Sequence, residues 1–233
     1  MIAVTFALPA ESQKFLRSLS NKCRTDRSGI LTFRGNLDNR TIEVLHTGVG
    51  ETVCRQRMAV FLQDRQFDYL ISAGFAGALN DKLCVGDLLL AKNLSTIELP
   101  GARSVISSLQ IHVADLLTIP SMIDSPKERK RMAQNTGATA ADMETEFIAR
   151  ACAERALPLL SLRVISDTPT EPFPAPAQVL FDIAKQRTDL AKLGAFFLTR
   201  PARIPHVIQF ARRIARSREA LARAIVNVIR VVE

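Results

Sequence analysis

Short β-rich runs alternate with helical patterns from residue 2 to residue 167, and this alternation limits the fold more than any other feature of the chain. The runs are IAVTFAL (2–8), ILTFRGNL (30–37), TIEVLHTG (41–48), YLISAG (69–74), VGDLLLA (85–91), VADLLTI (113–119) and PLLSLRVIS (158–166). Between them, helices are predicted over 9–19, 51–64, 126–135 and 143–156. Apolar strands separated by helices imply a sheet covered on both faces, hence a layered α/β domain around a largely parallel or mixed sheet. The turn residues 36–40 join two runs as a hairpin, which supplies an antiparallel element.

With 233 residues and 47% hydrophobic content one core suffices, so residues 1–233 are expected to form a single domain, with 196–233 as a basic helical extension. Cys23, Cys54, Cys84 and Cys152 lie far apart without a CxxC pair, and His46, His112 and His206 share no ligand spacing. Neither a disulfide frame nor a metal site is expected. The opening MIAVTFALPAES has no basic stretch ahead of an apolar one and reads as a first strand, and no apolar run nears the roughly 20 residues of a membrane span. A cytoplasmic location is expected.

The net charge of +8 is unevenly placed: residues 185–233 carry 11 Lys and Arg against 3 Asp and Glu, so the rest of the chain is neutral. With basicity confined to one terminal segment, one tyrosine and no tryptophan, no nucleic-acid partner is expected. In that segment Val207, Ala211, Ile214, Leu221, Ile225, Val228 and Val232 form a helical stripe interrupted by Arg218, with most other arginines off it. Two readings stay open: a helix packed on the body with a solvated basic face, or one lying on an anionic membrane surface or partner. Residues 168–176, TPTEPFPAP, carry four prolines and read as a loop, a candidate lid.

Several stretches could carry chemistry. Gly48-Val49-Gly50 ends a strand and opens a helix, so its amides either approach an anion or only make a tight turn. SAGFAGAL (72–79) continues the buried run YLI and either brings backbone close to a ligand or turns. In ADMETE (141–146), Glu144 heads the apolar stripe of Phe147, Ile148 and Ala151, where an unpaired charge is costly; Glu146 points away, toward Arg150 and Glu154. Glu11 and Asp167 complete a set of three acids at strand ends or helix starts, the edge where open α/β sheets bind ligands. Each of them also suits a cap or a turn.

The segments LISAGFAGALNDKLCVGDLLLA (70–91) and AADMETEFIARACAERALPLLSLRVISD (140–167) resemble the superfamily of purine nucleoside phosphorylases and methylthioadenosine/S-adenosylhomocysteine nucleosidases. ALPAES, TGVG, AGFAG, VGDLLL, DME and RVISD carry the resemblance over most of residues 1–185. It implies a three-layer α/β/α fold with a mixed central sheet, and metal-free, cofactor-free cleavage of a nucleoside N-glycosidic bond. It also implies that Met143 and Glu144 hold the ribose, that Asp167 is the general acid at purine N7, and that Glu11 and Arg163 position and activate water. Ala76 and Gly77 would lie along the base, with Phe75, Met122 and Ser166 completing the site. A small-molecule nucleoside partner and a homo-oligomer belong to the same expectation.

The chain departs from that family where members commonly carry Ser or Thr and this sequence has Phe75, and in the early loop ALPAES, which holds no arginine. The phosphorylases grip phosphate with such groups, so hydrolysis is expected over phosphorolysis. Residues 92–110 are fewer than in the nucleosidases, and TIPSMI (118–123) replaces their Gly-Asp plus aromatic beside the base. The phrase FFLTRPARIPHVIQFARRIARSREALARAI (196–225) resembles the hopanoid-associated branch. That implies a nucleoside with a large apolar 5′ group lodged near Phe75 and Met122, and a peripheral membrane contact through the basic helix.

Overall fold

A computed structural model describes residues 1–97, 108–175, 195–200 and 204–232. Its strands are β1 (Ile2–Phe6), β2 (Ser20–Arg27), β3 (Ile30–Leu37), β4 (Arg40–His46), β5 (Tyr69–Ala78), β6 (Leu88–Ala91), β7 (Ile111–Ala114), β8 (Leu116–Thr118), β9 (Ala140–Asp142) and β10 (Leu159–Asp167). Its helices of more than six residues are α1 (Pro9–Ser18), α2 (Glu51–Leu62), α3 (Pro126–Thr136), α4 (Thr145–Ala153) and α5 (Ile204–Val231). The strands form one sheet in the order β2-β3-β4-β1-β5-β10-β6-β7, with β9 also on β5 and β8 on β9. At its centre β4, β1, β5 and β10 run parallel. The meander β2-β3-β4 and the β10-β6 pair are antiparallel, so the sheet is mixed.

Alternation along β1 shows how the layers arise. Ile2, Val4 and Phe6 face a cluster that includes Phe15 of α1 and Leu221, Ala224, Ile225 and Val228 of α5. Ala3, between them, faces Cys54, Met58 and Phe61 of α2 with Ile148 and Cys152 of α4. A side-chain period of two therefore feeds both faces of the sheet, and the result is helix, sheet, helix.

From Leu221 to Val232 the stripe of α5 belongs to the core, and Arg40 donates to the Val232 carbonyl. Farther toward its start the helix reaches the surface, where Ile208 and Ala211 are exposed. The proline-rich loop is tied to this part of α5: Phe173 meets Phe210 edge-on with ring centroids 5.4 Å apart, and Glu171 pairs with Arg213 at 2.6 Å. No described helix is long and apolar enough to cross a membrane.

Three local expectations change. The glycines of SAGFAG lie inside the ten-residue β5 and do not end it. VADLLTI divides at Asp115 because β7 pairs with β6 while β8 pairs with β9. The polar stretch SNKCRTDR forms β2, an edge strand with no apolar alternation to announce it. Much of the short segment 92–110, residues 98–107, lies outside the described residues.

Candidate active site

Glu11 owes its place to the start of α1. Pro9 opens the helix with its preset φ, and the Glu11 side chain folds back so that Oε2 accepts from the Leu8 amide at 3.1 Å. Oε1 accepts from the Phe75 amide on β5 at 3.3 Å. Burial pushes the Glu11 carboxyl above its ordinary range, against the pull of the Leu8 and Phe75 amides and the Arg163 charge.

Glu144 stands just before α4, and its Oε1 accepts from the Gly50 amide at 2.9 Å. Gly50 has φ of 87°, a conformation that costs a residue with a side chain, so the second glycine of GVG is a backbone requirement. Its amide is directed at a protein carboxylate. Burial first, and the Asp142 charge next, raise Glu144 to about 8, with the Gly50 amide pulling the other way.

Arg163, in the middle of β10, uses all five of its donors. Nε donates to Asp142 Oδ2 at 3.0 Å, Nη1 to the carbonyls of Ser72 and Leu162 at 2.8 Å each, and Nη2 to Ser72 Oγ at 2.8 Å and to Thr145 Oγ1. Asp142 also accepts from Thr118 Oγ1 at 2.9 Å and from the amide and hydroxyl of Thr145. With every N–H engaged, Arg163 acts on this site through its charge, which favours ionisation of Glu11 and Glu144. Sequence reasoning passed over Asp142, although an arginine inside an apolar central strand calls for a buried acid.

Asp167 follows an irregularity in the β10 register between Ile165 and Asp167, the kind of bulge that re-aims a side chain. Ser166 Oγ donates to its Oδ1 at 2.6 Å, and Arg129 of α3 donates to Oδ2. Arg129 is itself buried and also donates to the Ile123 carbonyl at 2.9 Å and the Ala78 carbonyl at 3.0 Å. Burial raises the Asp167 pKa, opposed by Arg129 and by the Ser166 hydroxyl. Sequence reasoning also missed Arg129. It belongs to the basic run KERKR, whose Lys127, Lys130 and Arg131 are exposed, and only its helical spacing with Met132 and Ala133 marks it as inward.

Glu11, Glu144 and Arg163 line one small open hollow, with Gly74 and Phe75 on its wall. A Cβ at Gly74 would stand 3.5 Å from Glu11 Oε2, and one at Gly77 would stand 3.1 Å from Asp167 Oδ2 and 3.2 Å from Arg129 Nη1. Both glycines therefore admit acids against the backbone of β5. Three residues of strand, roughly 10 Å, separate the two glycines. Asp167 is not part of the lining of that hollow.

The remaining nominated residues disperse. Met143 and Met122 share an apolar cluster with Leu79, Ile119 and Ile123, whereas Phe75 packs against the cluster to which α5 contributes. Phe75 and Met122, expected around one apolar pocket, thus belong to different clusters, and of the two Phe75 lines the hollow. Ala76 turns its methyl into the core with Ala78, Leu89 and Ile165, leaving its carbonyl beside Ser166 Oγ at 3.3 Å. All four cysteines are free, and burial pushes the thiols of Cys54 and Cys152 up to about 12. Among the described residues no group of His, Cys, Asp and Glu is arranged to hold a metal ion.

A mixed sheet between two helical layers, with Glu11 and Glu144 on one hollow and Asp167 buried farther along β5, defines an α/β protein with a candidate site that carries acids. The sequence profile of the phosphorylase superfamily matches residues 1–106 and 100–199, and the chain belongs to that superfamily. A 5′-methylthioadenosine/S-adenosylhomocysteine nucleosidase from Shewanella piezotolerans is 24% identical over 197 residues, covering 71% of this chain and 85% of that protein. The nucleosidase of the same name from Campylobacter jejuni superposes with a TM-score of 0.72 at 17% identity, covering 99% of both chains. A futalosine hydrolase mutant from Helicobacter pylori superposes at 0.73 with 14% identity, again over 99% of both chains.

Proposed function

We propose that this protein is a nucleosidase that hydrolyses the N-glycosidic bond of a purine nucleoside modified at its 5′ position. The observation that carries the reading is a set of three buried acids with raised pKa values, Glu11 and Glu144 on one hollow and Asp167 against Gly77, three residues along β5 from the Gly74 that meets Glu11. The nucleosidase relatives support the reaction and the substrate class.

In this scheme Glu144 accepts hydrogen bonds from the ribose hydroxyls, which answers the problem of an acid on a buried stripe. Two hydroxyl donors stabilise its ionised form, and the carboxylate then favours positive charge developing on the ribosyl ring. Glu11 takes a proton from the attacking water in its ionised form, which the Leu8 and Phe75 amides and the Arg163 charge favour against the cost of burial. Asp167 delivers a proton to N7 so that the base departs neutral. The Ser166 hydroxyl has one proton and two acceptors in reach, Asp167 Oδ1 and the Ala76 carbonyl. Both contacts are satisfied at once when Oδ1 carries the proton, while Arg129 keeps hold of Oδ2. The 5′ arm runs along Phe75 toward α5 and is apolar over that stretch. The apolar Phe75 side chain on the hollow favours water over phosphate as the nucleophile.

The test is release of free purine from 5′-deoxy-5′-methylthioadenosine, followed by chromatography with and without phosphate. Equal rates and a free sugar are expected. A strict phosphate requirement with a sugar 1-phosphate product overturns hydrolysis, and no release from any purine nucleoside overturns the enzyme assignment.

A further inference from the structure

Ser72 stands on β5 two residues before Gly74, so both turn to the same face of the sheet, and both line the hollow together with Glu11. The serine is buried to 1% exposure. Its Oγ accepts from Arg163 Nη2 at 2.8 Å, and because a guanidinium only donates, that contact leaves the serine's own hydroxyl proton unused. Among the described residues no acceptor takes it. Its register partner on β1 is Thr5, fully buried, whose Oγ1 has no hydrogen-bond partner among the described residues. Buried hydroxyls left in this condition are costly unless a polar guest completes them. Arg163 cannot serve such a guest directly, since all five of its N–H groups are engaged. Its charge reaches the hollow through the Ser72 hydroxyl, which it polarises. The Glu11 carboxylate lies 3.5 Å from where a Gly74 Cβ would stand, one same-face position along the strand from Ser72. Such positions are roughly 7 Å apart, and a water that accepts from one group and donates to another spans about 5.5 Å.

We propose that Ser72 is a catalytic residue that holds the attacking water against Glu11, a role that rests on the nucleosidase reading of this hollow. The water accepts from the Ser72 hydroxyl and donates to the Glu11 carboxylate, which leaves its second lone pair free for C1′. As that pair bonds to C1′, the electrons of the C1′–N9 bond leave with the base, the water's proton passes to Glu11, and Asp167 protonates N7. Sugar and base both depart neutral. Glu11 ends protonated and Asp167 ionised, and proton exchange with solvent restores both.

The experiment measures kcat and KM for base release from 5′-deoxy-5′-methylthioadenosine in the wild type, Ser72→Ala and Ser72→Cys. Loss of a donor to the nucleophile should lower kcat roughly 10- to 100-fold in Ser72→Ala with KM within about twofold, and Ser72→Cys, with its weak S–H donor, should fall between. An unchanged kcat in Ser72→Ala overturns the proposal, whatever the urea midpoint does. A raised KM at constant kcat overturns it too, because Ser72 then holds substrate and not water. Where Ser72→Ala does not fold, Ser72→Cys decides alone, and a wild-type kcat refutes. Should the wild type cleave no nucleoside, the nucleosidase reading fails separately, and crystal structures of the wild type and the variants decide the water site. An ordered water within hydrogen-bond reach of Ser72 Oγ and Glu11, lost or displaced in the variants, supports it; a water missing from the wild type, or unmoved in the variants, refutes it.

Discussion

Asp142 and Glu144 are separated by one residue and buried to 6% and 8% exposure, yet the regions around them are built in opposite ways. Asp142 faces a closed network: Arg163, Thr118 and Thr145 all donate to it, and Arg163 in turn has every N–H engaged. Glu144 faces the hollow and, among the described residues, accepts one hydrogen bond, from Gly50. A carboxylate offers about four acceptor positions. The difference separates an acid whose partners the fold supplies from one that keeps acceptor positions open: a satisfied buried ion network rigidifies, whereas an under-satisfied one is costly unless something else completes it.

The largest effect should therefore come from the closed network. Asp142→Ala leaves the Arg163 guanidinium buried without its counter-charge, and a loss of about 3–5 kcal/mol is expected in urea unfolding. An unchanged midpoint would show that the two regions do not differ as argued. Next comes Asp167→Asn, which removes the transferable proton but keeps the shape. Base release should fall roughly 100-fold or more, and the unfolding midpoint should fall as well, because the buried Arg129 loses its counter-charge. Should Asp167→Asn retain full activity, the proton comes from another group and Asp167 joins the fold-serving acids.

Glu144→Gln sharpens the comparison through pH. A carboxyl whose pKa rises from 4.5 to about 8 on folding binds more protons in the native state, so its contribution to wild-type stability is fully present below 4.5 and is lost as pH climbs to about 8. The slope contributed is on the order of 1 kcal/mol per pH unit, and above 8 it levels off. Glu144→Gln should remove that slope, leaving the variant more stable than wild type at pH 9 and nearly equal to it at pH 4. It should also lower kcat/KM by about 100-fold and abolish the rising limb near pH 8. A variant less stable than wild type at pH 9 would place Glu144 among the satisfied acids instead.

Much of this division was legible in the sequence, and the part that was not has a physical reason. The strand runs ILTFRGNL, TIEVLHTG and PLLSLRVIS announced the sheet through β-branched and leucine content, and Glu11, Glu144 and Asp167 announced the edge through position. The counter-charges were hidden because an ion pair is a relation between distant segments. Asp142 meets Arg163 across 21 residues and Arg129 meets Asp167 across 38, and neither partner carries a local pattern. The polar β2 was hidden too, since an edge strand exposed to water has no apolar period to display. The stripe of α5 was visible but its depth was not: periodicity shows which side of a helix turns inward, not how much protein covers it.

The smallest effect falls to the third acid of the segment, Glu146, two residues beyond Glu144 and on the solvent side of α4. Its partner is Arg150, one helical turn on, with side-chain exposures of 40% for the acid and 58% for the arginine. A surface pair at this spacing gains little, because water screens both charges and two long side chains lose freedom in meeting. The Glu146 amide, however, donates to Thr118 Oγ1 at 3.0 Å, and Thr118 in turn donates to Asp142, so the backbone here is tied to the closed network. Glu146→Ala removes the exposed carboxylate and keeps the amide. A change of no more than about 0.5 kcal/mol in urea unfolding, fading with added salt, is expected. A loss several times larger would mean that the side chain holds the Thr118 link in place, and the boundary between the fold-serving region and the surface would then run one residue farther out.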